Sequence, residues 1–494
     1  MLYPSATPSR FVENLSGIWN FKLDDGTGLD AGWQNRPLED ATTMPVPASY
    51  NDLKEGVDFR DHYGWVFYQR SIAVPAFVRD QRLMLRFSAV THHAKVYLNG
   101  ELICEHKGGF LPFEVQLNDV LRDGDNLLTV AVSNVIDYTT LPVGSKGGMM
   151  GDLMGSVMGG DNVEPKKRND PNFDFFNYAG ITRPVYIYTT PQTHIEDITV
   201  VSAVNGSTAT LTYEVEAAGE DAACTVELLD AAGNKVAEST GATGTLVVED
   251  ARPWNPGAPY LYTVKATYGE DVYELPYGIR TVRVEGAKFL INEKPFYFKG
   301  YGKHEDTFPA GRGENMPMNV KDISLMKWQG ANSFRTSHYP YSEEMLDLCD
   351  REGILIIDEA PAVGLHSHFS ATGMLDASGD HKGTWEYMKT ADHHQDVIRD
   401  MVARDKNHPC VILWSVANEP ASEEEGAKEY FEPLLNLVRK EDPQHRPATL
   451  VTYEGSSPEK CKVAELCDVL VINRYRGWYD TEGKISRRRR PFEE

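Results

Sequence analysis

The sequence is short of positive charge. Lys and Arg number 49 against 73 Asp and Glu, a formal net charge of −24. Nucleic acids and anionic membranes require a basic face, so neither is an expected partner. The one dense basic run, Arg487–Arg490, sits at the very end and reads as a solvated tail. Long apolar runs are absent as well. Nothing approaches the ~20 residues of a membrane span, and the N-terminal "MLYPSATPSRFVENLSG" holds no apolar stretch of signal-peptide length. Cysteines number 6 and show no C-x-x-C spacing, which predicts free thiols and a cytoplasmic protein. No phosphate-binding glycine loop and no metal-ligand cluster stands out. His366-x-His368 and His393-His394 read as exposed loop or helix histidines rather than ligands, so no metal and no cofactor is expected.

At 494 residues the chain exceeds what one hydrophobic core supports. Residues 1–189 read as all-β. "RLMLRFSAV", "AKVYLNGELICEH" and "NLLTVAVSN" are rich in strand formers, and Asn99-Gly100 is a hairpin signal because both residues tolerate positive φ. A β-sandwich of jelly-roll type follows. The Gly- and Met-rich segment from Gly144 to Asp170 reads as a loop. From 190 to 284 short strands recur about every ten residues with turn signals, the pattern of an immunoglobulin-like β-sandwich. From 285 onward apolar strand-like runs alternate with helical ones, the last helical run being "SPEKCKVAELC". Repeated βα units with near-continuous apolar strands predict a parallel sheet, here a (β/α)8 TIM barrel of which six strands are present.

In such barrels the active site lies at the carboxyl ends of the strands. Those ends carry Lys303-His304-Glu305-Asp306, then Arg335, Ser337, His338 and Tyr339, then Asp358-Glu359, Asn418-Glu419, and Asn473-Arg474-Tyr475 followed by Trp478-Tyr479. Carboxylates, amides, imidazoles and aromatics on one rim suit a sugar. Glu419 is the strongest candidate, since a partly desolvated carboxylic acid keeps a raised pKa and protonates a glycosidic oxygen. On spacing alone it reads equally as a helix-start residue with Pro420 behind it. Arg335 reads as a buried ion-pair partner, and Asp358 and Glu359 as structural.

Two long stretches carry a resemblance. "NSFRTSHYPYSEEMLDLCDREGILII", Asn332 to Ile357, resembles the first signature of glycoside hydrolase family 2, and "DKNHPCVILWSVANE", Asp405 to Glu419, resembles its acid/base signature. "DFFNYAGITRPVYIYTTP", "WNPGAPYLY" and "GIRTVRV" agree with the family's earlier domains, so the resemblance runs to about Lys484. Within the family, "DFFNYAGI" and "NRYRGWY" resemble β-glucuronidases rather than β-galactosidases. The resemblance implies a retaining glycosidase acting on glucuronide conjugates or glucuronic-acid-containing oligosaccharides. Glu419 would be general acid/base and Asn418 the sugar-contacting amide. Asn473, Tyr475, Trp478 and Tyr479 would shape the sugar pocket. His338 would face the sugar, and Asp174 would reach in from the jelly roll. It also implies homo-oligomers.

A retaining route needs a second carboxylate. The family's nucleophile ends the seventh barrel strand, and no matching segment follows "NRYRGWYDTEGKI" before the "SRRRRPFEE" ending. Glu454 in "VTYEG" ends the fifth strand and is rejected for that reason. The glucuronidase Asn-x-Lys pair has no match either. The chain is therefore expected to be a C-terminally incomplete, impaired glycosidase. Another family 2 glycosidase such as a β-galactosidase, and a non-catalytic carbohydrate-binding protein, are the competing readings.

Overall fold

The computed structural model describes residues 1–144, 169, 175–366, 383–453 and 459–474. Three units follow one another along the chain. In the first, an antiparallel six-stranded sheet faces a four-stranded one. Trp19, Phe21, Tyr68, Leu85, Val96 and Val130 are buried between them. The expected hairpin joins His93–Leu98 to Glu101–Lys107, with Asn99 and Gly100 at φ of 53° and 89°. Positive φ at both turn positions is what a tight two-residue hairpin requires. The predicted Gly144–Asp170 loop lies outside the described residues except for Gly144 and Asn169.

The second unit packs the three strands His194–Asn205, Thr208–Ala218 and Thr243–Val248 on four others, Lys235–Thr240, Cys224–Leu229, Tyr262–Tyr268 and Asp271–Tyr277. Alternation in Thr208–Ala218 sends Ala209, Leu211, Tyr213 and Val215 inward. That is the signature of an antiparallel sheet covered on one face.

The third unit is a curled parallel sheet. Among the described residues it has six strands in sequence order: Gly300–Lys303, Ser333–Thr336, Leu355–Glu359, Val411–Asn418, Ala448–Thr452 and Val471–Ile472. Every residue of the fourth strand is buried, as expected for a strand covered on both faces. The helix Met316–Gln329 starts on the Asn315 side chain and stops at Gly330 with φ of 80°. Glu343–Glu352 starts on Ser342 and stops at Gly353 with φ of 69°. Over the described part of "SPEKCKVAELC", 459–467, the expected helix does not form; Ala464–Leu466 makes a 3-10 segment. The Lys462 N–H is drawn to the Ser422 carbonyl at 2.9 Å, and the Asp468 carboxylate and N–H bond Ala448. These bonds tie the segment to its neighbours instead of to a helical ladder. No helix among the described residues is long and apolar enough to cross a membrane.

The units are joined through backbone. The Ser49 N–H donates to Ala310 O, the Arg312 N–H to Ser49 Oγ, and the Glu314 N–H to Thr182 O, at 2.9, 3.1 and 2.8 Å. A Cβ on Gly313 would lie 2.3 Å from Ala48 Cα, so only glycine permits this approach. Arg183 donates to Phe110 O and to Pro340 O, and the buried Arg86 pairs with Glu343. On the far side Arg280 donates to Pro409 O and Val411 O, at 2.7 and 2.8 Å, holding the middle domain against the foot of the fourth strand.

Candidate functional site

The strand ends do not contribute equally. At the first strand, Lys303 is drawn out to Asp322 at 2.8 Å. Burial pushes the Glu305 carboxyl up, against the opposing pull of Arg183 and Arg312. Asp306 pairs with Arg312. Glu305, and Asp306 through Arg312, thus serve the junction with the first domain, and Lys303 packs within the barrel. His304 alone turns to the mouth, its Nδ1 3.3 Å from Tyr339 Oη, its ring 5.4 Å from that of His338 and 5.8 Å from that of Phe175. Phe175 comes from the first domain, so that domain helps to wall the mouth. Asp174, just before it, lies outside the described residues, as do Tyr475, Trp478 and Tyr479.

The second, third, fourth and sixth strands converge on one hydrogen-bond network. Arg335 Nη1 donates to both Glu359 oxygens at 2.7 and 2.8 Å and to Asn418 Oδ1 at 3.2 Å. Its Nη2 donates to Asn473 Oδ1 at 3.3 Å. The guanidinium thereby fixes which end of the Asn473 amide is oxygen. Asn473 Nδ2 then donates to Glu419 Oε1 at 2.7 Å and to Asn418 Oδ1 at 3.1 Å. Asn418 Oδ1 is thus filled twice, whereas its Nδ2 is buried with no partner among the described residues. A buried donor of that kind costs free energy until something accepts from it, and a sugar hydroxyl would.

Glu419 itself has a φ of 48°, an uncommon conformation for a residue with a side chain. The strain persists because the backbone on either side is pinned. Its N–H donates to Val451 O at 2.8 Å, the Asn418 N–H to Ala362 O at 3.1 Å and the Ala421 N–H to Leu365 O at 2.8 Å. The abrupt end of the apolar fourth strand is therefore a built turn that carries a half-buried carboxylate beside two amides.

Arg335 is an ion-pair partner, as its sequence context predicted. Glu359 does more than the structural reading allowed: it bonds His338 Nδ1 at 2.8 Å and accepts from Ser415 Oγ at 2.7 Å. Burial would raise its pKa, but Arg335 and His338 outweigh burial and hold it at about 2. Asp358 is fully buried; burial and the neighbouring Asp405 push its carboxyl up, consistent with a structural part. The exposed reading of His394 is corrected. It is fully buried, bonded to Val416 O at 2.8 Å and Tyr430 Oη at 3.1 Å, and burial lowers its pKa to about 3. Its spacing with Val397, Ile398 and Met401 puts it on the apolar helix face, a signal the sequence carried. His368 and Glu454 lie outside the described residues. A cleft of about 630 Å3 lies at the domain seam beside Arg10, Glu216 and Lys406, not at the strand ends. Arg10 is paired with Asp271 and Lys406 with Asp197, so it reads as a seam.

Three family descriptions match in succession: the glycosyl hydrolases family 2 sugar binding domain over 12–191, glycosyl hydrolases family 2 over 193–280, and the family 2 TIM barrel domain over 282–494. The chain belongs to glycosyl hydrolase family 2. Among the relatives of this family 2 chain, a β-glucuronidase of Paenibacillus borealis is 44% identical, the match covering 98% of this chain and 80% of the relative. The Homo sapiens β-glucuronidase is 38% identical, covering 98% and 75%. Of solved structures, a β-glucuronidase of an uncultured Clostridium sp. superposes with a TM-score of 0.88 at 44% identity, covering 99% of this chain and 80% of that one. A Ruminococcus gnavus β-glucuronidase in complex with D-glucuronic acid gives 0.86 at 37% identity, covering 97% and 78%.

Proposed function

We propose that the barrel mouth of this family 2 chain is built for β-D-glucuronide hydrolysis with retention. Glu419 protonates the leaving oxygen and then, as a base, activates the water that clears the glycosyl-enzyme. Asn418, Asn473 and His338 bind sugar hydroxyls, together with Asp174, Tyr475, Trp478 and Tyr479. The observation that carries this reading is the network in which Arg335 orients two amides around Glu419, leaving the Asn418 Nδ2 donor to a ligand. The relatives named β-glucuronidase support the choice of sugar.

Retention also needs a nucleophilic carboxylate about 5–5.5 Å from the first. Glu359 does not fit that part, because Arg335, His338 and Ser415 occupy its oxygens. Turnover by the 494 residues alone is therefore expected to be near zero. The same observation favours, as a second reading, a carbohydrate-binding role without catalysis. Six free cysteines among the described residues fit a reducing, cytoplasmic setting.

The test is a chromogenic aryl β-D-glucuronide and the matching galactoside, offered to purified chain of verified mass. Hydrolysis of the glucuronide, abolished in Glu419→Gln, supports the glycosidase and refutes the impairment. Saturable sugar binding without turnover, unchanged in Glu419→Gln, supports the binding role. Preference for the galactoside overturns the choice of sugar.

A further inference from the structure

A donor and an acceptor compete for one histidine nitrogen. His338 Nδ1 is 2.8 Å from Glu359 Oε1 and 3.1 Å from Arg335 Nη1. Of the two neutral tautomers, only one satisfies all three groups. If Nδ1 were bare, it would accept from Arg335 while its lone pair faced a carboxylate oxygen at the shorter distance. If Nδ1 carries the proton, that proton is directed at Glu359, and Arg335 spends its hydrogens on the two Glu359 oxygens and Asn418, where it already has good partners. Glu359 is fully buried, and Ser415 Oγ holds its other oxygen, so it has no freedom to turn away.

The geometry points to Glu359 as a positioning residue that sets the tautomer of His338, with the proton on Nδ1 and the lone pair on Nε2. The same side chain anchors Arg335, and through it the orientation of the Asn473 and Asn418 amides. Three of the sugar-facing groups thus take their donor and acceptor pattern from one fully buried carboxylate. The consequence is a preference. With its lone pair on Nε2, the ring favours, in any ligand that reaches it there, a hydroxyl turned to donate over an alkoxy or deoxy position. A carboxylate that orients a histidine from behind is the logic of hydrolase triads and of carboxylate–histidine pairs behind metals. Here it is applied to recognition. The preference rests on the mouth being a sugar site; the tautomer does not.

Histidine-selective 15N labelling of the full chain reads the two ring nitrogens separately, with His338 identified by its loss in His338→Phe. In alkaline buffer the wild type is expected to show a protonated Nδ1 and a bare Nε2. In Glu359→Gln the amide, held by Arg335 at its oxygen, offers N–H to Nδ1, so the proton is expected to move to Nε2. Ser415→Ala, which removes a different bond to Glu359, is expected to leave the His338 pattern as in wild type; a purely structural role for Glu359 would disturb both variants alike. If Glu359→Gln does not fold, the double variant Arg335→Met/Glu359→Gln removes the unbalanced charge and is read in its place. A bare Nδ1 in wild type, or the same tautomer with and without the carboxylate, overturns the inference. Where the chain binds D-glucuronic acid, Glu359→Gln is expected to weaken binding about tenfold, the size of one mismatched hydrogen bond. Failure to bind or hydrolyse sugar counts against the proposed function and leaves the tautomer result standing.

Discussion

Replacing Arg335 by Met keeps most of the side-chain volume and removes the charge. Glu359 is then a fully buried carboxylate that has lost its main cationic partner. Breaking a buried pair from one side costs about 3–5 kcal/mol. The structure sets a matching figure through acidity. Glu359 falls from an ordinary 4.5 to about 2 in the folded chain, with burial opposing the fall and Arg335 and His338 driving it. At about 1.4 kcal/mol per pH unit this corresponds to about 3 kcal/mol for Arg335 and His338 together, net of burial. Because the folded pKa is depressed, that stability is present above pH 4.5 and is lost as pH falls toward about 2. Arg335→Met therefore has two expected effects: a loss of about 3 kcal/mol near neutrality, and loss of the wild-type fall in stability between pH 4.5 and about 2, because Glu359 without Arg335 no longer has a strongly depressed pKa. Urea titrations followed by circular dichroism at several pH values read both. A loss under about 1 kcal/mol with the wild-type pH dependence retained would refute the reasoning, since a buried, paired carboxylate cannot behave so.

Two histidines, one half-buried and one fully buried, predict opposite pH slopes. Burial opposes the charge on His408, but Asp350, Asp347 and Asp405 outweigh it and hold the pKa at about 9. Stability from this group is full below pH 6.5 and is lost as pH rises through about 9, and Asp350→Asn should remove that alkaline loss from the melting curve. His394 is held neutral by burial, so its contribution is present above pH 6.5 and is lost as pH falls toward about 3; His394→Phe should blunt the acid side instead. Gly313→Val drives a branched side chain into Ala48 and should cost about 3 kcal/mol, read as separation of the first domain's unfolding from the barrel's in calorimetry.

Much of the architecture was legible because each layer has its own period. The fourth strand's unbroken apolar run could only be covered on both faces, and the Asn99-Gly100 turn announced its hairpin. The misread "SPEKCKVAELC" shows where local reading stops. Its composition suits a helix, yet Ser422, distant in sequence, takes the Lys462 N–H on its carbonyl and the Cys461 thiol on its hydroxyl. The rim residues were legible as a set, but their division of labour was not. Strand-end carboxylates look alike in sequence. Glu305 meets Arg183 of another domain, Glu359 meets Arg335 of the neighbouring strand, and Glu419 meets an amide two strands away. Each role is fixed by lateral register between strands that are 24 to 122 residues apart from their partners along the chain.

The seam at Gly313 bears on how such a protein can be recombined. Ser49 with Ala310 and Glu314 with Thr182 share main-chain bonds across it, the Ser49 hydroxyl takes the Arg312 N–H, and a Cβ at 313 would strike Ala48. A first domain grafted from another scaffold would meet the barrel through groups that mutation cannot easily retune, because peptide amides and an absent Cβ are not adjustable parts. Exchange of the first domain is thus expected to succeed only when 48–51 and 307–314 travel as one cassette. The rim is then inherited as a joint rather than as a property of either piece.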